Sequence, residues 1–165
     1  MNEQDRAHLQ RCIELATEAL NAGDAPFGSV LVDGDGNRLA EDRNRAVTDN
    51  VTHHPEFELA RWAARNLDPA ACAAATVYTS GEHCPMCAAA HAMAGLGRIV
   101  YIMSSRQFAE RLAEFGHPPG AVRDLSVQEI APGIDVVGPV TELVPSVLEL
   151  YQRRYGHGET TPDAS

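Results

Sequence analysis

No stretch of this 165-residue chain approaches the roughly 18 consecutive apolar residues that a membrane-spanning helix needs. Its opening residues, Met1 to Arg6, are polar and hold no apolar run of the signal-peptide kind. The cytoplasm is therefore the expected location, with no membrane partner. Positive charge is scarce too. The 13 lysines and arginines stand against 23 aspartates and glutamates, for a formal net charge of −10. Nucleic-acid binding ordinarily draws on a basic patch that neutralises phosphates. An acidic chain points away from that class and toward a small, uncharged or weakly charged substrate. Cysteine is sparse, and only Cys84 and Cys87 lie close in sequence. That does not fit the disulfide framework of short secreted domains. Cys12 falls on the apolar phase of a helix and Cys72 in an alanine-rich stretch, where free cysteine packs as a small hydrophobe. Repeats, low-complexity tracts and dividing linkers are absent. One domain is expected over residues 1–157, followed by a flexible polar tail over 158–165.

The patterning alternates helices with strands. Leu9, Ile13, Ala16 and Leu20 recur at helical spacing between Asn2 and Ala22, and Gly23 is a stop. Residues 29–32 read as a strand, Asp33 to Asn37 as a turn, and Arg38 to Arg43 as the returning arm of a hairpin. That acidic turn lacks the ligand count and late glutamate of a calcium loop. Helices are expected over Pro55–Asn66, Pro85–Ala94, Ser105–Phe115 and Glu142–Tyr155, and strands over Thr76–Thr79, Arg98–Ile102 and Ile134–Val137. Such alternation implies an α/β sheet covered on both faces.

Two segments carry chemistry: His54-Pro55-Glu56 and Cys84-Pro85-Met86-Cys87. They supply three soft metal ligands and one spare carboxylate. A catalytic zinc site uses three protein ligands and keeps its fourth position for water, and the carboxylate can move that water's protons. The cysteines sit at the start of an expected helix, where free N–H groups favour thiolate. Other readings of C-x-x-C stand beside this one. A redox dithiol would leave His54 and Glu56 without a role. A structural zinc site would want a fourth ligand, for which His53 is the nearest candidate, since no second C-x-x-C exists.

These segments resemble the known zinc-deaminase signature H-x-E with P-C-x-x-C. The run Thr79-Ser80-Gly81-Glu82-His83-Cys84-Pro85-Met86-Cys87 is similar to the T-S-x-E-P-C-P-M-C of the cytidine-deaminase-like superfamily. Pro26-Phe27-Gly28 resembles its N-terminal P-F-G-A segment, and Asn44 stands where it places a substrate-binding asparagine. The likeness covers about Leu9 to Ile102. It lies within the branch that has one histidine and two cysteines as ligands, which includes guanine, fungal cytosine and tRNA adenosine deaminases. The resemblance implies a three-layer α/β/α fold with a central mixed sheet of about five strands. It implies Zn2+ on His54, Cys84 and Cys87, with a catalytic water as fourth ligand. Glu56 is the implied proton carrier, and Asn44 and Phe27 are implied substrate contacts.

The chain also departs from the pattern. Pro55 replaces alanine, which a first helical turn tolerates. His83 replaces proline beside the ligand, as a pocket residue or a neutral surface or supporting one. His91 and Met93, the latter where guanine-type relatives tend to carry an aromatic, are further candidates. In those relatives a second acidic residue assists proton transfer. Glu114 is the counterpart expected here, with Glu110 a turn away, and a solvent-facing role equally open to both. Their C-terminal segments cover the site, often in a swapped homodimer, and Tyr151, Tyr155 and His157 are the residues for that. The function expected is zinc-dependent hydrolytic deamination of a free nucleobase or similar amino heterocycle, of guanine, cytosine, modified or triazine type. The rivals are a tRNA adenosine deaminase and a non-catalytic zinc module that dimerises or recruits a partner.

Overall fold

The computed structural model describes residues 1–156. The expected tail and His157 lie outside the described residues. Asn2 accepts the Asp5 N–H at 2.8 Å, and the Asp5 carboxylate accepts the Asn2 N–H at 2.9 Å. This capping box starts helix α1, Glu3–Ala22, which Gly23 ends in the left-handed region at φ 95°. Strands β1 (Gly28–Val32) and β2 (Arg38–Arg43) form the expected antiparallel hairpin. Helix α2 is Pro55–Asn66, α3 is Pro69–Ala74, and strand β3 is Thr76–Gly81. Then follow α4 (Pro85–Met93), β4 (Arg98–Met103), α5 (Ser105–Glu114), α6 (Val127–Ile130), β5 (Val136–Val137) and α7 (Val144–Tyr155).

Two of these helices carry no periodic signal. Six residues of α3 bury Cys72 alone, and α6 has four residues. Both depend on caps: Asp68 accepts the Ala71 N–H at 2.8 Å, and Ser126 forms a capping box with Glu129. The closing helix begins at Val144 rather than Glu142, with Pro145 in its first turn.

The sheet order is β2-β1-β3-β4-β5. β1 runs antiparallel to β2 and β3, while β3, β4 and β5 are parallel. Alternation along each strand divides the side chains between two faces. Val30, Val32, Tyr78, Val100 and Ile102 pack with Leu9, Cys12 and Ile13 of α1 and Val147, Leu150 and Tyr151 of α7. On the other face Leu31 and Val77 meet Leu59, Ala60 and Ala63 of α2, and Ile99 and Tyr101 meet Ala88 and Val127. The result is the three-layer α/β/α arrangement with a five-stranded mixed sheet. Each buried Val, Leu or Ile contributes about 1.5–3 kcal/mol. Among the described residues no helix is long and apolar enough to cross a membrane.

One buried charge fixes the loop between β2 and α2. Asp24 is fully buried. It accepts the N–H groups of Val47 and Thr48, both at 2.9 Å, the Thr48 hydroxyl at 2.7 Å and Arg43 Nη1 at 3.0 Å. Burial alone would raise its pKa. The bonds from Thr48, Val47 and Arg43 outweigh burial and hold it below the usual 3.8. A depressed carboxylate pKa gives stability that is complete above the unfolded value and is lost as pH falls through the folded one. Asp24→Asn is therefore expected to cost about 3 kcal/mol at pH 7 in urea melts. The gap between variant and wild type should narrow only below the usual value of 3.8. A gap unchanged in acid would show that the charge is not its source.

Candidate active site

Two helix starts converge on one point. His54 is the N-cap residue of α2 and Cys84 that of α4, and neither side chain serves as a cap. A proline follows each in the first turn, where its missing N–H costs no hydrogen bond. Cys87 is on the inner face of α4 and fully buried. The Cys84 and Cys87 sulfurs are 3.5 Å apart, and each is 3.7 Å from His54 Nδ1. Tetrahedral zinc with bonds of about 2.3 Å to sulfur and about 2.0–2.1 Å to nitrogen needs ligand separations of roughly 3.6–3.8 Å. The three atoms fit that ion. His53 turns elsewhere: its Nδ1 meets Asp49 at 2.6 Å and its Nε2 meets Asp42 at 3.1 Å. Among the described residues, this leaves the three-ligand set that a catalytic zinc uses.

Glu56 lies two residues past His54, in the first turn of α2, and is buried. Its Oε1 is 3.0 Å from the Ser29 hydroxyl and 2.8 Å from the Thr79 hydroxyl. Sheet register creates this pair, because Ser29 of β1 stands directly opposite Thr79 of β3. Their hydroxyls are 2.9 Å apart, and Thr79 also reaches the Gly81 carbonyl at 2.9 Å. Each hydroxyl has one proton. Thr79 can serve Gly81 while Ser29 donates to Glu56, or Thr79 can serve Glu56 while Ser29 donates to Thr79. Neither arrangement leaves the carboxylate without a donor. Burial raises the Glu56 pKa, against the opposing pull of His54 and Thr79. A carboxyl poised in that way suits proton transfer in both directions.

A cavity of about 200 Å³ opens over these groups. Phe27, Asn44, His54, Glu56 and Cys84 line it. Gly81 leaves room for Phe27, since a Cβ there would come within 2.8 Å of its ring. Phe27 packs edge-on against Phe108 at 5.3 Å and lies 5.7 Å from Tyr151. The Asn44 N–H donates to the Phe27 carbonyl, and Asn44 Oδ1 accepts the Ala46 N–H at 2.9 Å.

Six sequence candidates lie outside the lining. His83 and His91 are fully buried and meet edge to face at 5.2 Å, and His91 Nε2 donates to the Gly97 carbonyl at 3.1 Å. Met93 is 88% exposed at the end of α4, off the face that carries Cys87, Ala88 and His91. Tyr155 packs behind Phe108 and Tyr151. Glu114 is exposed and paired with Arg111, and Glu110 is also exposed. Three contributors were not among the site candidates, although Thr79 and Glu82 lie within the motif run. Ser29 and Thr79 are buried hydroxyls on neighbouring strands, and their pairing shows only once the strands are aligned. Glu82 lines the cavity and clasps its rim, accepting the Ser105 N–H at 2.9 Å and the Val127 N–H at 3.0 Å.

Residues 2–103 match the family model described as the cytidine and deoxycytidylate deaminase zinc-binding region. The chain belongs to this family. It is 30% identical over 147 residues to a probable cytosine deaminase of Schizosaccharomyces pombe, covering 86% of this chain and 88% of the relative. It is 32% identical over 101 residues to a tRNA-specific adenosine deaminase of Haemophilus influenzae, covering 61% and 58%. The structure of a guanine deaminase from Nitrosomonas europaea superposes with a TM-score of 0.66 at 20% identity, over 94% of this chain and 85% of that one. That last likeness concerns the fold alone.

Membership in this family of zinc-binding deaminases makes metal content the first measurement. The protein is expected to carry one zinc per chain. Cys87→Ala should lose the metal, while Thr79→Val, which removes only a hydroxyl, should keep it. Thr79→Val should still slow turnover about tenfold, the worth of roughly 1.5 kcal/mol in hydrogen bonding to a charged group. Zinc lost in both variants would tie Thr79 to the metal instead of to Glu56.

Proposed function

We propose that the protein hydrolyses the exocyclic C–N bond of a free nucleobase or a similar amino-substituted nitrogen heterocycle and releases ammonia. The observation that carries this reading is a buried, hydroxyl-held carboxylate beside a three-ligand metal set, at the floor of a closed cavity. His54, Cys84 and Cys87 would hold a zinc ion, which when bound would supply a Lewis acid that brings the pKa of a water toward neutrality. Glu56 takes a proton from the attacking water as its oxygen bonds the ring carbon that bears the amine. Glu56 then returns protons to the ring nitrogen and the leaving amine. Asn44 has spent its oxygen on Ala46, so its amide –NH2 is the group it offers to a ring acceptor. Phe27 supplies an apolar surface for the ring.

A purely structural zinc module has no use for Glu56 with its two hydroxyls, since burying an idle carboxylate is costly. The tRNA reading keeps the support of the Haemophilus relative. Against it stand the net charge of −10 and the engagement of the two adjacent arginines of α7: Arg153 bonds Asn21, and Arg154 lies over the Tyr155 ring. A cytoplasmic location accords with the small-base reading.

The chain is read as a homodimer. Helix α4 is apolar on its outer side as well as its inner one, with Met93 in solvent. Helix α7 packs on the core of its own chain. Sedimentation should give a dimer that Met93→Glu weakens. A wild-type monomer at micromolar concentration overturns this part.

The decisive assay is ammonia release from guanine, cytosine, adenine, isoguanine and ammeline. Glu56→Ala should keep zinc and lose activity by about a thousandfold or more, as expected for a proton carrier. Ammonia release by that variant at the wild-type rate removes Glu56 from the mechanism. Salt-sensitive binding and deamination of tRNA, with silence on every free base, moves the protein to the tRNA reading.

A further inference from the structure

The cavity is polar at one end and hydrocarbon at the other. Its polar end holds Asn44, Glu56 and the metal ligands, at the starts of α2 and α4. The opposite wall is built by α5, the loop after it and Phe27. On that wall most polar groups are already spent inside the protein. Both Glu82 oxygens accept backbone N–H groups, from Ser105 and Val127. The Ser104 hydroxyl is bonded to Gln107, and His117 Nε2 donates to the Tyr155 carbonyl at 3.1 Å. Arg123 and Asp124 stand at the rim, exposed to solvent. What remains for a ligand is mainly carbon, from Phe27, Phe108, Ala109, Leu112 and Val122, together with the Tyr151 hydroxyl, which is buried without a hydrogen-bond partner.

A bare guanine or cytosine seated with its amine at Glu56 would turn polar ring edges against that carbon. Buried polar groups without partners are costly. A ring that is polar on the amine side and hydrocarbon on the far side suits both ends at once. Resting on the deaminase reading, we infer that the preferred substrate is an amino heterocycle with an alkyl substituent on the edge away from the amine. The chemistry is unchanged by the substituent. The exocyclic C–N bond breaks, a C–O bond forms with oxygen from water, one water proton ends on the ring nitrogen, and the other leaves with the amine as ammonia. Each methylene removed from water against the wall should raise kcat/KM about fourfold.

The test is ammonia release by the zinc-loaded full chain on two series: guanine with 8-methyl and 8-ethyl guanine, and cytosine with 6-methyl and 6-ethyl cytosine. The expected result is a stepwise rise in kcat/KM of about fourfold per carbon in at least one series. Leu112→Asn should flatten the ratio of alkylated to bare base, a ratio in which general loss of activity cancels. Val122→Ser, in an exposed loop, should flatten it less and guards against misfolding of the first variant. A flat or falling series, with the bare base deaminated, overturns this inference and leaves the deaminase reading standing. Silence on every base, bare or alkylated, overturns both.

Discussion

Burying the Glu56 carboxylate is the constraint around which this structure is organised. An ionisable group in an apolar layer costs several kcal/mol unless it is bonded. The bonds come from two strands, through the Ser29–Thr79 register. That register exists because β1 lies antiparallel between β2 and β3, with α2 packed over the same face. Slipping β1 by one residue would send Ser29 to the α1 side and bring an apolar neighbour under Glu56. Sheet pairing, helix docking and proton chemistry are thus set by one alignment. The metal ligands are placed by the same helices, His54 at the start of α2 and the cysteines at the start of α4.

The parts legible in the sequence are those whose information is local. A capped apolar repeat gave α1, a turn of Asp, Gly and Asn gave the hairpin, and proline after His54 and after Cys84 marked two helix starts. Residue type, spacing and the resemblance to the zinc-deaminase signature together brought out the His54, Glu56, Cys84 and Cys87 set. What stayed hidden depends on long-range registration or rotational phase. Ser29 and Thr79 look like ordinary strand residues until the strands are aligned. Glu114 sits at a suitable distance along the chain, but Phe108, Ala109 and Leu112 form the inward stripe of α5 and turn it outward. Met93 fails for the same reason on α4. His83, beside a ligand, ends in a sealed pocket with His91, because β3 runs on to Gly81 and draws the following residues beneath α4. Helices α3 and α6 are too short to show a period and rest on single caps.

Proline at position 55 illustrates how a departure from a motif can be neutral in the frame. The residue is buried in the first turn of α2, where its N–H has no intrahelical partner to lose. Its ring fixes the backbone between a ligand and the proton carrier, so the vector from His54 to Glu56 is stiffened. The loop that leads into this turn is held from its far end by Asp24, whose partners Val47 and Thr48 follow Asn44 closely. Asn44, His54 and Glu56, the proposed substrate contact, metal ligand and proton carrier, therefore share one anchored segment, from residue 44 to residue 56.

The proposed reaction groups and most of the apolar cavity wall occupy different parts of the chain. The family match ends at residue 103, and every group assigned to metal binding or proton transfer lies before it. The hydrocarbon wall of the cavity lies largely after it, on α5, the following loop and α7. Relatives named for cytosine and for tRNA adenosine match this chain over 147 and 101 residues. A ring and its amine must present one geometry to Glu56, which leaves little room for variation near the sheet. The far edge of the substrate meets side chains that support neither the sheet register nor the metal. Those positions can change volume or polarity at the cost of local packing alone, so substrate choice is most readily altered between residues 104 and 155.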